Sequence, residues 1–295
     1  MTSPDADGGR AGTSGRPYDA GMRVSRSGQA IHLSTGVTVR YVDMGDSAGV
    51  SVVLLHAWGE SLGCFDRLLP LMPTTIRVLA MDQRGHGGSD KPADAYSLSD
   101  FAGDVTAFLD AMGLAATVLV GSSSGGYVAQ QVAITSPERV RGLVLVGAPR
   151  SLHGRPPFAD EVDQLTDPID RTWVEDSLTW FPRFHDVPEW YIAARVDDGV
   201  TTPARVWRQA LTGLTEATPP TETGTIRTPT LIIWGERDEL LPRSDAGALA
   251  AAIPGSRLVV YPDTGHLVLW EQPARVASDL TAFVAACLES EPPTT

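Results

Sequence analysis

The sequence predicts an α/β fold, a mostly parallel sheet flanked by helices, with a helical cap inserted between two strands. Three observations predict it. Apolar runs of strand length recur along the chain, segments with apolar residues at helical spacing alternate with them, and residues 150–225 break the alternation. Strands buried on both faces read as continuous apolar runs, and strand–helix alternation implies parallel pairing through crossovers.

The elements follow in order. Ile31–Leu33 and Val37–Val42 flank Ser34-Thr35-Gly36, the pattern of a hairpin with a glycine turn. Val50–His56 and Arg77–Met81 read as buried strands. Leu98, Phe101, Val105, Phe108, Leu109 and Met112 repeat at helical spacing, with Ser97 or Ser99 placed to cap the helix. Thr117–Val120 is a strand, Gly125–Ile134 a helix ending before Pro137, and Leu143–Val146 a strand. Thr230–Trp234 and Leu258–Tyr261 read as strands, Ala246–Ile253 and Ala274–Leu288 as helices.

Residues 150–225 are rich in proline and aromatic residues and hold seven arginines against 13 acidic residues. Cap helices are expected near Asp170–Phe181, Pro188–Val196 and Pro203–Leu214. The expected division is a disordered tail over 1–24, a core over 25–149 and 226–290, and the cap over 150–225.

Composition excludes several classes. The chain has 295 residues, 42% hydrophobic and 20% charged, ordinary for a globular protein. Its net charge is −13 and it lacks Lys/Arg clusters, which disfavours nucleic acid as a partner. No apolar stretch is long enough for a membrane span, and the N-terminus has no apolar core of a secretory signal. Two cysteines, Cys64 and Cys287, show no metal-ligand spacing, and a reducing, cytoplasmic setting fits them. No metal and no cofactor is expected. The sequence leaves the oligomeric state open, a homodimer included.

The chemistry concentrates at strand ends. Gly121-Ser122-Ser123-Ser124-Gly125 follows an apolar strand and opens a helix. A sharp strand-to-helix turn exposes the middle hydroxyl, here Ser123, and small flanking residues let strand and helix pack closely. His56-Ala57-Trp58-Gly59 ends an earlier strand. A tetrahedral oxyanion needs two converging N–H donors, one from the residue after the nucleophile, Ser124, and one from this loop, Trp58. His56 is expected to brace that loop. Asp82 and Arg84, in the glycine-rich stretch Asp82–Gly88, are expected to hold neighbouring loops together. His86 lies ahead of Ser123, out of order for its base. After the strand at 230–234 come Glu236, Asp238 and Glu239, and after that at 258–261 comes His266. Serine, acid and histidine thus follow at three strand ends, the order in which an imidazole activates a hydroxyl and an acid holds the imidazole.

On these motifs the chain resembles the α/β-hydrolase superfamily, in its branch of small serine esterases, cofactor-free haloperoxidases and lactonases. The resemblance runs from about residue 30 to the C-terminus. It implies Ser123, Asp238 and His266 as the catalytic residues, Trp58 and Ser124 as oxyanion donors, and a cap roofing the pocket. Two features depart from the family's pattern: Ala57 stands where glycine is usual, and Ser122 and Ser124 flank the nucleophile. The expected activity is hydrolysis of carboxylic esters or lactones through an acyl-enzyme. C–C bond hydrolysis or perhydrolysis with the same residues, and a non-catalytic binding protein of the same fold, are the alternatives. Trp173, Trp180, Phe181, Phe184, Trp190, Tyr191, Trp207 and Leu267 are expected to touch the substrate, which is read as hydrophobic and uncharged.

Overall fold

In a computed structural model of the protein, residues 28–154, 156–241 and 243–289 are described. The tail expected over residues 1–24 lies outside them. Strands β1 (Gln29–His32), β2 (Thr38–Met44), β3 (Ser51–Leu55), β4 (Arg77–Met81), β5 (Thr117–Ser122), β6 (Val140–Val146), β7 (Thr230–Gly235) and β8 (Arg257–Tyr261) form one sheet in the order β1-β2-β4-β3-β5-β6-β7-β8. β2 runs antiparallel to β1 and β4, and every other pair is parallel.

Alternation of side chains across the pleat builds two cores. Val53, Leu55, Leu79 and Leu119 face a layer with Phe101, Val105, Phe108 and Val132 from helices α1 (Leu98–Ala111) and α2 (Ser124–Thr135). Their neighbours Val52, Leu54, Val78 and Val118 face the opposite layer with Leu280 and Val284. Ser97 caps α1 through a reciprocal pair with Asp100, which satisfies orphan N–H groups of the first turn.

Between β6 and β7 the chain leaves the sheet for α3 (Ala159–Asp163), α4 (Arg171–Ser177), α5 (Glu189–Thr201), α6 (Ala204–Thr215) and α7 (Pro220–Thr223). This segment has a small core of its own, with Val162, Ile169, Val174, Val196 and Trp207. The helix expected over Asp170–Phe181 stops at Ser177 and tightens into a 3-10 turn, Leu178–Trp180. Pro182 disfavours helical backbone at Phe181, which is extended toward φ −121°. The short α3 was not expected: five residues carry too little periodicity to stand out. Past β7 come α8 (Arg243–Ala252), then β8, α9 (Val268–Glu271) and α10 (Pro273–Glu289). The loops after β3, β5, β7 and β8 leave the carboxyl ends of parallel strands, so all four gather on one edge of the sheet.

Candidate active site

Ser123 sits between β5 and α2 at φ 47°, ψ −120°, backbone that a residue with a side chain rarely adopts. Close approach of the surrounding backbone enforces it. A Cβ on Gly121 would lie 2.4 Å from the Gly125 backbone, and one on Gly125 would lie 2.4 Å from the carbonyl oxygens of Leu55 and His56. The Ser123 N–H donates to the Val146 carbonyl at 2.9 Å, which fixes the turn against β6.

His266 leaves the loop after β8 and brings its Nε2 to 3.0 Å from Ser123 Oγ. Its Nδ1 lies 2.8 Å from Asp238 Oδ2. The other Asp238 oxygen, Oδ1, accepts the N–H groups of Leu240 and Leu241 at 3.0 and 2.9 Å. Both side chains of the pair are almost fully buried. Phe181 stacks on the imidazole, with ring centroids 5.8 Å apart. Of the three acids considered after β7, Asp238 alone among the described hydrogen bonds meets His266. Glu236 faces Arg243 at 3.8 Å instead.

The residues of the two expected N–H donors, Trp58 and Ser124, line one cavity with Ser123. Ser124 is the first residue of α2, where backbone N–H groups have no partner inside the helix. The Trp58 N–H donates to the Ser124 hydroxyl at 2.7 Å. The loop carrying Trp58 is braced from below. His56 Nε2 accepts the Gln83 N–H at 2.9 Å, and the Gln83 side-chain amide donates back to the His56 carbonyl at 2.7 Å. Burial drives the His56 pKa down to about 3 and that of His86 to about 4, so both rings are neutral at pH 7. Asp82 accepts the Leu62 and Gly88 N–H groups at 2.6 and 2.8 Å, while burial raises its pKa to about 6. Arg84 pairs through two parallel bonds of 2.7 and 2.6 Å with Asp104 on α1.

A cavity of about 130 Å³ opens above Ser123 and His266. Trp58, Trp180, Phe181, Trp207 and Leu267 line it, with Phe158, Leu152 and Leu178. The expected aromatic set divides here. Trp173 stands behind the wall, its ring edge-on to Trp180 and Trp207 with centroids 5.9 and 5.3 Å away. Tyr191 is fully buried and donates its hydroxyl to the Cys64 carbonyl at 2.6 Å. Trp190 packs edge-on against Tyr191. Phe184 lies beneath the Arg237 guanidinium, 4.1 Å from ring centroid to Cζ. Trp173, Phe184, Trp190 and Tyr191, expected to touch substrate, are not among the residues that line this cavity. Aromatic rings bury large areas, and the contacts of these four are with neighbouring side chains and backbone.

The model of the alpha/beta hydrolase fold family matches residues 50–273. The chain belongs to this family. It is similar to a non-heme chloroperoxidase of Streptomyces lividans, 29% identical over 279 residues, covering 86% of this chain and 98% of the relative. It is equally similar to a 2-hydroxymuconate semialdehyde hydrolase of a Pseudomonas strain, 29% identical over 276 residues, 86% of this chain and 92% of the relative. Among solved structures, an esterase from Exiguobacterium antarcticum superposes with a TM-score of 0.77 at 25% identity, covering 88% of this chain and 99% of that one.

In this α/β hydrolase, sequence reasoning missed three charged residues at the site. Glu60 lines the cavity, accepts the Ala57 N–H at 3.1 Å and the Trp270 indole N–H at 2.8 Å, and burial raises its pKa. Arg195 also lines it. Burial is the strongest single influence and works against the Arg195 charge, but Asp198, bonded to its Nε at 2.8 Å, together with Tyr191, Cys64 and Glu60 outweighs it and the pKa is raised. Glu271 is buried and ties two loops together: its Oε1 accepts the Gly265 N–H at 2.9 Å, its Oε2 those of Phe184 and His185 at 2.7 and 3.0 Å. Glu60 in a loop, Arg195 on α5 and Glu271 at the end of the short α9 each look like an ordinary solvated charge in the sequence, so no sequence signal pointed to these roles. Among the described residues no three His, Cys, Asp or Glu side chains form a metal-ligating group.

Proposed function

We propose that the protein is a serine hydrolase that cleaves hydrophobic, uncharged carboxylic esters or lactones through an acyl-enzyme. The reading rests on one observation: the unbroken Asp238–His266–Ser123 relay of 2.8 and 3.0 Å opening into a largely apolar cavity. Ser123 Oγ attacks the carbonyl carbon as its proton passes to His266 Nε2. Asp238 holds the Nδ1–H tautomer and stabilises the imidazolium. The oxyanion takes the N–H groups of Trp58 and Ser124. His266 then protonates the leaving oxygen, and a water it deprotonates releases the acid.

The segment 150–225 acts in this reading as the cap, contributing Trp180, Phe181 and Trp207 to the acyl or alcohol pocket. Substrate neutrality is supported by the paired state of the charged lining: Arg195 is joined to Asp198, and the Glu60 carboxyl takes two N–H donors. A reducing, cytoplasmic setting is part of the proposal, supported by Cys64 and Cys287 being buried and not bridged.

The test is turnover of a p-nitrophenyl ester series by the protein and by Ser123→Ala, with labelling of Ser123 by an alkyl phosphonate. Turnover lost in the variant supports the reading. No turnover of any ester or lactone, with Ser123 unlabelled, sinks it and favours a binding role.

A further inference from the structure

The donor expected to hold the oxyanion is already engaged. The Trp58 N–H points at the Ser124 hydroxyl at 2.7 Å, so a substrate oxygen and this Oγ compete for one N–H. The competition has an outlet in a second cavity that Ser124 also lines. That cavity, of about 10 Å³, is lined by Ser124, Gln83, His86, Phe101, Trp58 and Leu214. Two buried polar atoms of its lining residues, Gln83 Oε1 and His86 Nε2, have no hydrogen-bond partner among the described residues.

Both are acceptors. His86 Nδ1 lies 2.9 Å from the Arg84 carbonyl, an atom that only accepts, so Nδ1 carries the proton. Burial keeps the ring neutral, which leaves a lone pair on Nε2. The Gln83 amide nitrogen is committed to the His56 carbonyl, which fixes Oε1 as the remaining acceptor. A hydroxyl turned into this cavity therefore finds somewhere to donate, and the cost of an unpaired buried hydroxyl is avoided.

We infer that Ser124 is a two-position positioning residue: its hydroxyl holds the Trp58 N–H in the free protein and swings toward His86 and Gln83 when a substrate carbonyl oxygen claims that N–H. The inference rests on the hydrolase reading above. Serine suits the task because its single heavy atom on Cβ moves between staggered rotamers with little displaced volume. The hydroxyl keeps a buried donor satisfied until substrate arrives, and the second berth makes its displacement cheap.

The decisive experiment is a crystal structure of the wild-type protein with an alkyl phosphonate bonded to Ser123 Oγ. The expected result is a phosphoryl oxygen on the Trp58 and Ser124 N–H groups, with Ser124 Oγ rotated to within hydrogen-bond distance of His86 Nε2 or Gln83 Oε1. Ser124 Oγ remaining on the Trp58 N–H, or staying in place and donating to the phosphoryl oxygen as a third donor, overturns the inference. Failure of the phosphonate to label Ser123 overturns the hydrolase reading itself, so the two failures are distinct. Kinetics supply an independent arm. His86→Phe should lower kcat/KM for an aryl ester roughly tenfold with Ser124 present and less than about twofold in Ser124→Ala, because only a displaced hydroxyl needs the berth. Equal losses in both backgrounds mean that His86 is merely structural and count against the inference.

Discussion

The sheet edge and the segment inserted between β6 and β7 hold their site residues in different ways. At the edge, backbone meets backbone: the position of a Cβ on Gly125 falls 2.4 Å from two carbonyl oxygens, and Ser123 is forced to a positive φ. In the segment, side chain meets side chain: Phe158 stacks on Trp58 and Trp180 with centroids 5.8 and 4.6 Å apart, and the loop at Phe184 and His185 hangs on the Glu271 carboxylate. Backbone contacts leave no slack, whereas stacked rings and hydrogen-bonded loops can repack. In the proposed reading, the reacting atoms sit where backbone packs on backbone, and the substrate-selecting rings sit where side chain packs on side chain.

Four predictions sharpen or break that contrast, in falling order of size. Ser123→Ala should lower kcat for an aryl ester by roughly 10⁴-fold or more, without lowering the melting temperature. A melting temperature that falls would mean that the hydroxyl holds the turn rather than reacts. Gly125→Ala should cost roughly 100-fold in kcat, because the elbow must shift to clear the Leu55 and His56 carbonyls. Near-wild-type kinetics would show that the edge is less rigid than the distances imply.

The third prediction concerns pH. Asp82 has its pKa raised by burial to about 6, against 3.8 unfolded. A raised pKa means that the folded state holds the proton more tightly, so this contribution is full below about 3.8 and lost as pH rises through about 6. Asp82→Asn cannot lose it. The stability of Asp82→Asn relative to wild type should therefore rise by about 2 kcal/mol between pH 4 and 7, read from thermal or urea unfolding at the two pH values. A difference independent of pH would refute the assigned shift. The smallest effect belongs to the inserted segment. Trp180→Ala should raise KM for a hydrophobic ester by up to about tenfold while sparing kcat, and Trp190→Ala should leave KM unchanged and only reduce stability. Equal KM changes in the two would erase the distinction between wall and packing residues.

Much of the fold was legible because the strands are buried on both faces. Val52–Leu55, Val118–Val120 and Leu143–Val146 are continuous apolar runs, and a parallel sheet covered on both sides is built from such runs alternating with helices. The inserted segment was legible as a break in the pattern but not in its detail. The helix expected to run to Phe181 gives way to a 3-10 turn ahead of Pro182, and α3 was too brief to show. Among the aromatic residues, nothing in a Trp codon distinguishes Trp180, which lines the cavity, from Trp190, which packs on Tyr191.

By itself the sequence determined the sheet, the elbow around Ser123, and the order in which Ser123, Asp238 and His266 follow one another. Each depends on local rules: apolar runs, glycines at tight turns, and motifs at strand ends. The tertiary structure decided which acid reaches His266, which aromatic rings face the cavity, and that the Trp58 N–H meets the Ser124 hydroxyl 66 residues away. Those outcomes depend on distances between segments far apart in the chain, which no local pattern encodes.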